Sequence, residues 1–231
     1  MKIFDFIKNE TVGWGKLERV IFPLCLLIIL SISIYMKDTP IAMISAVCGL
    51  SYTILAGKGK ISCYYIGIMG TLCYAYLSLK AQLYGNLVLY LCYYLPMQTY
   101  GIFSWKKHLQ KDSHSIKKTC LTNKEILIYL FLTIFLTVIT FLILSKLGDK
   151  SPLIDAITTI FSIFGLLFTV KRCVEQWYIW FVVNGLSTIM WVQAVLNGVN
   201  AIATVLMWFG YFVLTIYFLI NWKKEIKNYN D

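Results

Sequence analysis

Apolar residues run along this chain in long unbroken stretches. They do not alternate in twos or recur in threes and fours, as a half-buried strand or a surface helix requires. Stretches without Asp, Glu, Lys or Arg cover 20–36, 41–57, 61–79, 81–105, 126–145 and 156–170, and a last one of 47 residues covers 176–222. A membrane-crossing helix needs about 17–25 mostly apolar residues, so each of the first six predicts one span. The seventh predicts two, because Asn197-Gly198-Val199-Asn200 supplies turn-forming residues near its middle. The pattern therefore predicts an all-α integral membrane protein with eight transmembrane helices.

Composition supports this reading. Of 231 residues, 59% are hydrophobic and only 14% charged, and the mean hydropathy is +0.71. A soluble domain carries about 25% charged residues and could not hide this much apolar surface. The net charge of +10 would suit nucleic acid, but the lysines flank apolar runs, so no nucleic-acid partner is expected. Lys2, Lys8, Lys16, Arg19, Lys58, Lys60, Lys106, Lys107, Lys111, Lys117, Lys118, Lys124, Lys171, Arg172, Lys223, Lys224 and Lys227 fall on one side of the alternation, 17 in all; Lys37, Lys80, Lys146 and Lys150, four, fall on the other. That bias predicts both termini in the cytoplasm. The first 19 residues are polar and no small-residue cleavage site follows the first apolar run, so no removed leader is expected.

Connections are short except over 106–124, a lysine-rich loop that carries both histidines, His108 and His114. Span four ends in Trp105-Lys106-Lys107 and span eight in Trp222-Lys223-Lys224, an offset of 117 shared by Tyr100 and Tyr217. Spans two to four and six to eight then read as parallel triplets. A triplet crosses an odd number of times, so span five is needed to restore orientation, as in the 3+1+3 parallel repeat of SWEET transporters. The expected organisation is a cytoplasmic amino terminus and added helix (1–40), a first three-helix bundle (41–105), a loop and linker helix (106–151), a second bundle (152–222) and a cytoplasmic tail (223–231).

Candidate chemistry is polar and aromatic. No carboxylate pair, histidine cluster or Ser-His-Asp set lies at membrane depth, and Asp155 and Glu175 sit near span starts, where acids favour the helix amino end. No enzyme, no catalytic residue and no cofactor are expected. The seven cysteines are odd in number, form no C-x-x-C and lie mostly in apolar runs, which predicts neither a disulfide nor a metal site. Gly57-Lys58-Gly59-Lys60 lacks the first glycine and the final Ser or Thr of a phosphate loop and reads as a basic turn. In span seven, Trp177, Trp180, Asn184, Thr188 and Trp191 share one helical face, a lane able to stack a flat ring and hydrogen-bond its edge. The same residues also suit interfacial belts and a helix–helix bond from Asn184. Span four offers a second lane of Tyr90, Tyr94, Gln98, Gly101 and Trp105, kinked by Pro96, with Asn86 at its start. Gly67 and Gly70 of span three predict close helix packing. Proton-coupled carriers keep an ionisable group in the membrane; its lack here points to passive movement of a neutral ring compound.

Tyr84-Gly85-Asn86, Tyr94-Leu95-Pro96-Met97-Gln98 with Gly101 and Trp105, and Glu175-Gln176-Trp177 with Trp180 and Asn184 resemble the conserved blocks of the nicotinamide riboside transporter family (PnuC type). The resemblance covers about 41–224. It implies a multi-pass facilitator of the bacterial inner membrane, often a homotrimer, whose vitamin or nucleoside substrate is trapped by a cytoplasmic kinase. It assigns Gln98 and Asn184 as amide partners of the substrate and Trp177 and Trp180 as stacking or gating walls. The family is expected to have Asn in place of Gln176 and commonly Asp in place of Asn184. Relatives carry thiamine, riboflavin or deoxynucleosides, so these remain alternatives to nicotinamide riboside. A substrate-binding membrane subunit served by a separate ATPase is a further one.

Overall fold

The computed structural model describes residues 10–80, 84–110, 115–148, 151–198 and 202–230. They fall into two compact units, Met1–Lys117 and Lys118–Asp231.

The first unit contains α1 (Glu18–Tyr35), α2 (Pro40–Gly57), α3 (Ser62–Lys80), α4 (Tyr84–Leu89), one π-helical turn (Tyr90–Tyr94) and α5 (Leu95–Lys106). Thr39 caps α2 by accepting the Ala42 N–H, and Pro40 opens the helix where no backbone donor is needed. The chain between α5 and the unit's end departs from an all-helical reading. Leu109–Gln110 (β1) pairs antiparallel with Ser115–Ile116 (β2), and the Ile116 N–H donates to the Gly59 carbonyl at 3.0 Å. That hairpin gives the lysine-rich loop a backbone ladder, which its polar composition did not announce.

The second unit contains α6 (Asn123–Lys146), α7 (Pro152–Val170), α8 (Gln176–Leu196) and α9 (Ile202–Asn230). A reciprocal capping box joins Thr122 and Glu125 at the start of α6. α8 ends at Leu196, and Gly198 has φ 89°, where the turn was expected. Its partner residues Val199 and Asn200 lie outside the described residues.

Five helices among the described residues are long and apolar enough to cross a membrane: α1, α2, α6, α7, and α9 over Thr204–Asn228. The helical stretches outside this set are α3, α8 and the path through α4 and α5. The last of these is interrupted by the π turn. On α6 the side chains of Leu127, Phe131, Ile134, Phe135 and Leu142 are all more than half exposed, as lipid contact demands.

Within each unit the same contacts recur at fixed spacing. The α2–α3 turn and the α7–α8 turn share their hydrogen bonds: Lys60 N–H to Leu55 O in one, Cys173 N–H to Phe168 O in the other, both 2.9 Å. Each turn places one residue in the left-handed region, Gly59 (φ 69°) and Arg172 (φ 64°). Glycine adopts that conformation at no steric cost, whereas arginine is strained there. Each turn is also tied to the helix before the pair that it joins. Lys58 Nζ donates to Glu18 of α1 at 2.9 Å, and Lys171 Nζ donates to Glu125 of α6 at 2.7 Å. Both glutamates in turn accept a backbone N–H three residues upstream, from Gly15 and from Thr122.

Candidate functional site

In the first unit the span-four lane lies along α3. Tyr90 meets Tyr74 at 4.5 Å between ring centroids and stacks on Tyr94 at 4.7 Å. One π-helical turn carries these rings: the Leu95 N–H reaches back five residues to Tyr90 O. Pro96, in the first turn of α5, has no N–H to give, and the helix is irregular just upstream of it. The kink expected from the sequence therefore takes the form of a π turn, an irregularity common at functional positions.

Gln98 follows on α5, 4% exposed. Its Nε2 donates to Thr71 Oγ1 at 3.0 Å, and the same hydroxyl lies 3.3 Å from Oε1. One threonine thus holds both ends of the amide. Below it, Trp105 meets Tyr64 edge-on at 4.9 Å. A Cβ on Gly101 would collide with the Tyr64 ring, and one on Gly67 would stand 2.7 Å from the Tyr52 ring. Gly67 and Gly70 permit the close packing that the sequence predicted, Gly70 against Cys48.

The second unit builds a matching arrangement. Asn184, 6% exposed, donates Nδ2–H to Thr215 Oγ1 on α9 at 2.9 Å. Trp177 packs against Phe218 (5.3 Å) and edge-on against Trp222 (5.6 Å). Its indole Nε1 is buried and has no hydrogen-bond partner among the described residues. Trp180 turns to the other side, over Gly165 of α7, where an added Cβ would stand 3.0 Å from the ring. Its Nε1 donates weakly to Thr169 Oγ1 at 3.4 Å. Thr188 spends its hydroxyl on Asn184 O of its own helix at 2.7 Å.

The structure therefore brings Trp177 and Asn184 together against α9 and sets Trp180 against α7. In the first unit it joins Gln98 to α3 and leaves Tyr94 in a tyrosine stack. Asn86 belongs to α4, and its side chain is outside the described residues. The sequence reading missed Thr71 and Thr215, each paired with a candidate amide. A signal existed: Thr215 is Gln98 plus the offset of 117 that links Trp105 with Trp222. The Gln176 amide, 1% exposed, donates to Cys173 O at 3.1 Å and so braces the α7–α8 turn.

Charges cluster at the end of each unit that bears the basic turn. Lys171 and the Thr122 cap both hydrogen-bond the Glu125 carboxylate. Burial pushes the pKa of Glu175 up and pulls that of Lys60 down. Lys118 pairs with Glu225 and lies over the Trp222 ring at 4.9 Å.

Known proteins are similar to this chain in sequence and fold. The family described as nicotinamide mononucleotide transporter matches residues 39–224. A nicotinamide riboside transporter PnuC of Neisseria mucosa is 31% identical over 223 residues, spanning 94% of this chain and 85% of the relative. One from Haemophilus influenzae is 31% identical over 229 residues, 97% of each, and one from Escherichia coli is 23% identical over 188 residues, 71% and 77%. A crystal structure of the vitamin B3 transporter PnuC superposes with a TM-score of 0.80 at 32% identity, over 96% of this chain and 97% of that one.

Proposed function

This chain belongs to the nicotinamide mononucleotide transporter family, and from that premise we propose that it is a uniporter importing nicotinamide riboside across a bacterial cell membrane. Phosphorylation by a cytoplasmic kinase then traps the product and keeps the inward gradient. The relatives' names supply the substrate. The observation that carries the mechanism is the pair of buried amides, Gln98 and Asn184, each bonded to a threonine and flanked by aromatic rings. Such neutral groups recognise a carboxamide and a ribose without fixing a net charge in the bilayer.

Eight crossings in the 3+1+3 arrangement, with α1 in addition and both termini cytoplasmic, complete the reading. The repeated contacts support it. Tyr64 with Trp105 corresponds to Trp177 with Trp222, and Thr71 with Gln98 to Asn184 with Thr215. Tyr52 against Gly67 corresponds to Gly165 against Trp180 with large and small exchanged. The basic turns at one end of each unit support the orientation. Purified protein in vesicles should equilibrate labelled nicotinamide riboside with no ATP and no proton gradient. Uptake that needs either would overturn the uniporter, and tighter binding of thymidine, thiamine or riboflavin would reassign the substrate.

A further inference from the structure

The two amides are held differently, and the difference has a chemical consequence. Thr215, fully buried, donates its single hydroxyl proton to Tyr211 O at 2.8 Å. It can then only accept, and it accepts from Asn184 Nδ2 at 2.9 Å. An Asn amide turned the other way would press its carbonyl oxygen against a lone pair. Asn184 is therefore locked with nitrogen toward α9. Its Oδ1 accepts no hydrogen bond from any described residue. Thr71, in contrast, lies within reach of both ends of the Gln98 amide, and among the described residues its proton is not committed to a backbone carbonyl.

We propose that Thr215 is a positioning residue that fixes the Asn184 amide so that it offers substrate an acceptor. The inference rests on the proposed site and deepens it. A fixed acceptor requires a donor on the ligand. The carboxamide of a nicotinamide nucleoside brings an N–H; the carboxylate of the corresponding acid brings only lone pairs and a negative charge. Thr215 thus sets selection for the amide over the acid, although it touches neither. A site with a fixed, unpaired acceptor rejects a ligand lacking the donor.

Calorimetry with nicotinamide riboside and nicotinic acid riboside, on wild type, T215S, T215V and N184A, tests this. Wild type binds the amide more tightly. T215S keeps the hydroxyl and the preference. T215V releases the Asn184 amide to rotate, and the preference falls by about tenfold, the worth of roughly one hydrogen bond. N184A weakens binding of the amide. Unchanged preference in T215V with weakened binding in N184A overturns the role of Thr215 alone, whereas unaltered binding in N184A overturns the site itself. Should T215V lose its folded thermal transition, wild type decides: equal affinity for amide and acid overturns the proposal.

Discussion

Gln98 is a buried amide whose two ends meet one hydroxyl, so truncating it removes a bond and strands its partner. Q98A leaves Thr71, 4% exposed, without its amide. A buried hydrogen bond is worth about 1 kcal/mol and an orphaned partner costs about 1–3 kcal/mol. Q98A is therefore expected to weaken nicotinamide riboside binding by roughly tenfold or more, measured by calorimetry, with a small drop in melting temperature. Gly101 is set by space and not by conformation. Its missing side chain is occupied by the Tyr64 ring, itself packed edge-on against Trp105. G101A must push that pair apart at a cost of about 1–3 kcal/mol. Thermal unfolding in detergent should register a clear loss, and a melting point equal to wild type would show that the α3–α5 contact is slack.

At the level of elements, an ion pair ties α6 to the α7–α8 turn. Lys171 donates to the Glu125 carboxylate at 2.7 Å. E125Q keeps the shape and removes the charge, so its melting temperature in detergent is expected to fall slightly. The pair is partly exposed, so added salt shrinks the difference. A melting temperature equal to wild type at low salt would show that the pair contributes nothing.

Elements were also unevenly legible in the sequence. Helix positions followed from uncharged runs, because a bilayer leaves few alternatives to a helix. The break after Leu196 followed from Asn and Gly. The two lanes were visible because polar and aromatic groups stand out in apolar spans. Their partners were not: Thr71 and Thr215 look like ordinary weakly polar residues until the neighbouring helix is in place. The opposed directions of Trp177 and Trp180, three residues apart on one face, were hidden for the same reason, since α7 and α9 both pack on α8. The π turn needed a backbone, as did the hairpin, whose pairing answers to the Gly59 carbonyl and not to its own composition.

For the whole molecule, the decisive quantity is which side the basic turns occupy. Cys120 is exposed and lies in the connector between the lysine-rich hairpin and α6. With both termini cytoplasmic, a membrane-impermeant maleimide should label Cys120 in inside-out vesicles and spare it in right-side-out ones. Burial pushes this thiol up, so labelling is run at mildly alkaline pH. The reverse pattern would invert the orientation drawn from the lysine count.

The paired latches, Glu18 to Lys58 and Glu125 to Lys171, bear on ancestry. A three-crossing segment copied in tandem would emerge upside down, and an extra helix would have to be acquired to right it. If the copied unit included the latch-bearing helix, it had four crossings, and the second copy landed the same way up in a single event. On that account α1 is no appendage and α6 no late spacer. The two would then be one ancestral helix, at the head of each copy, each latched to the turn one helix further along.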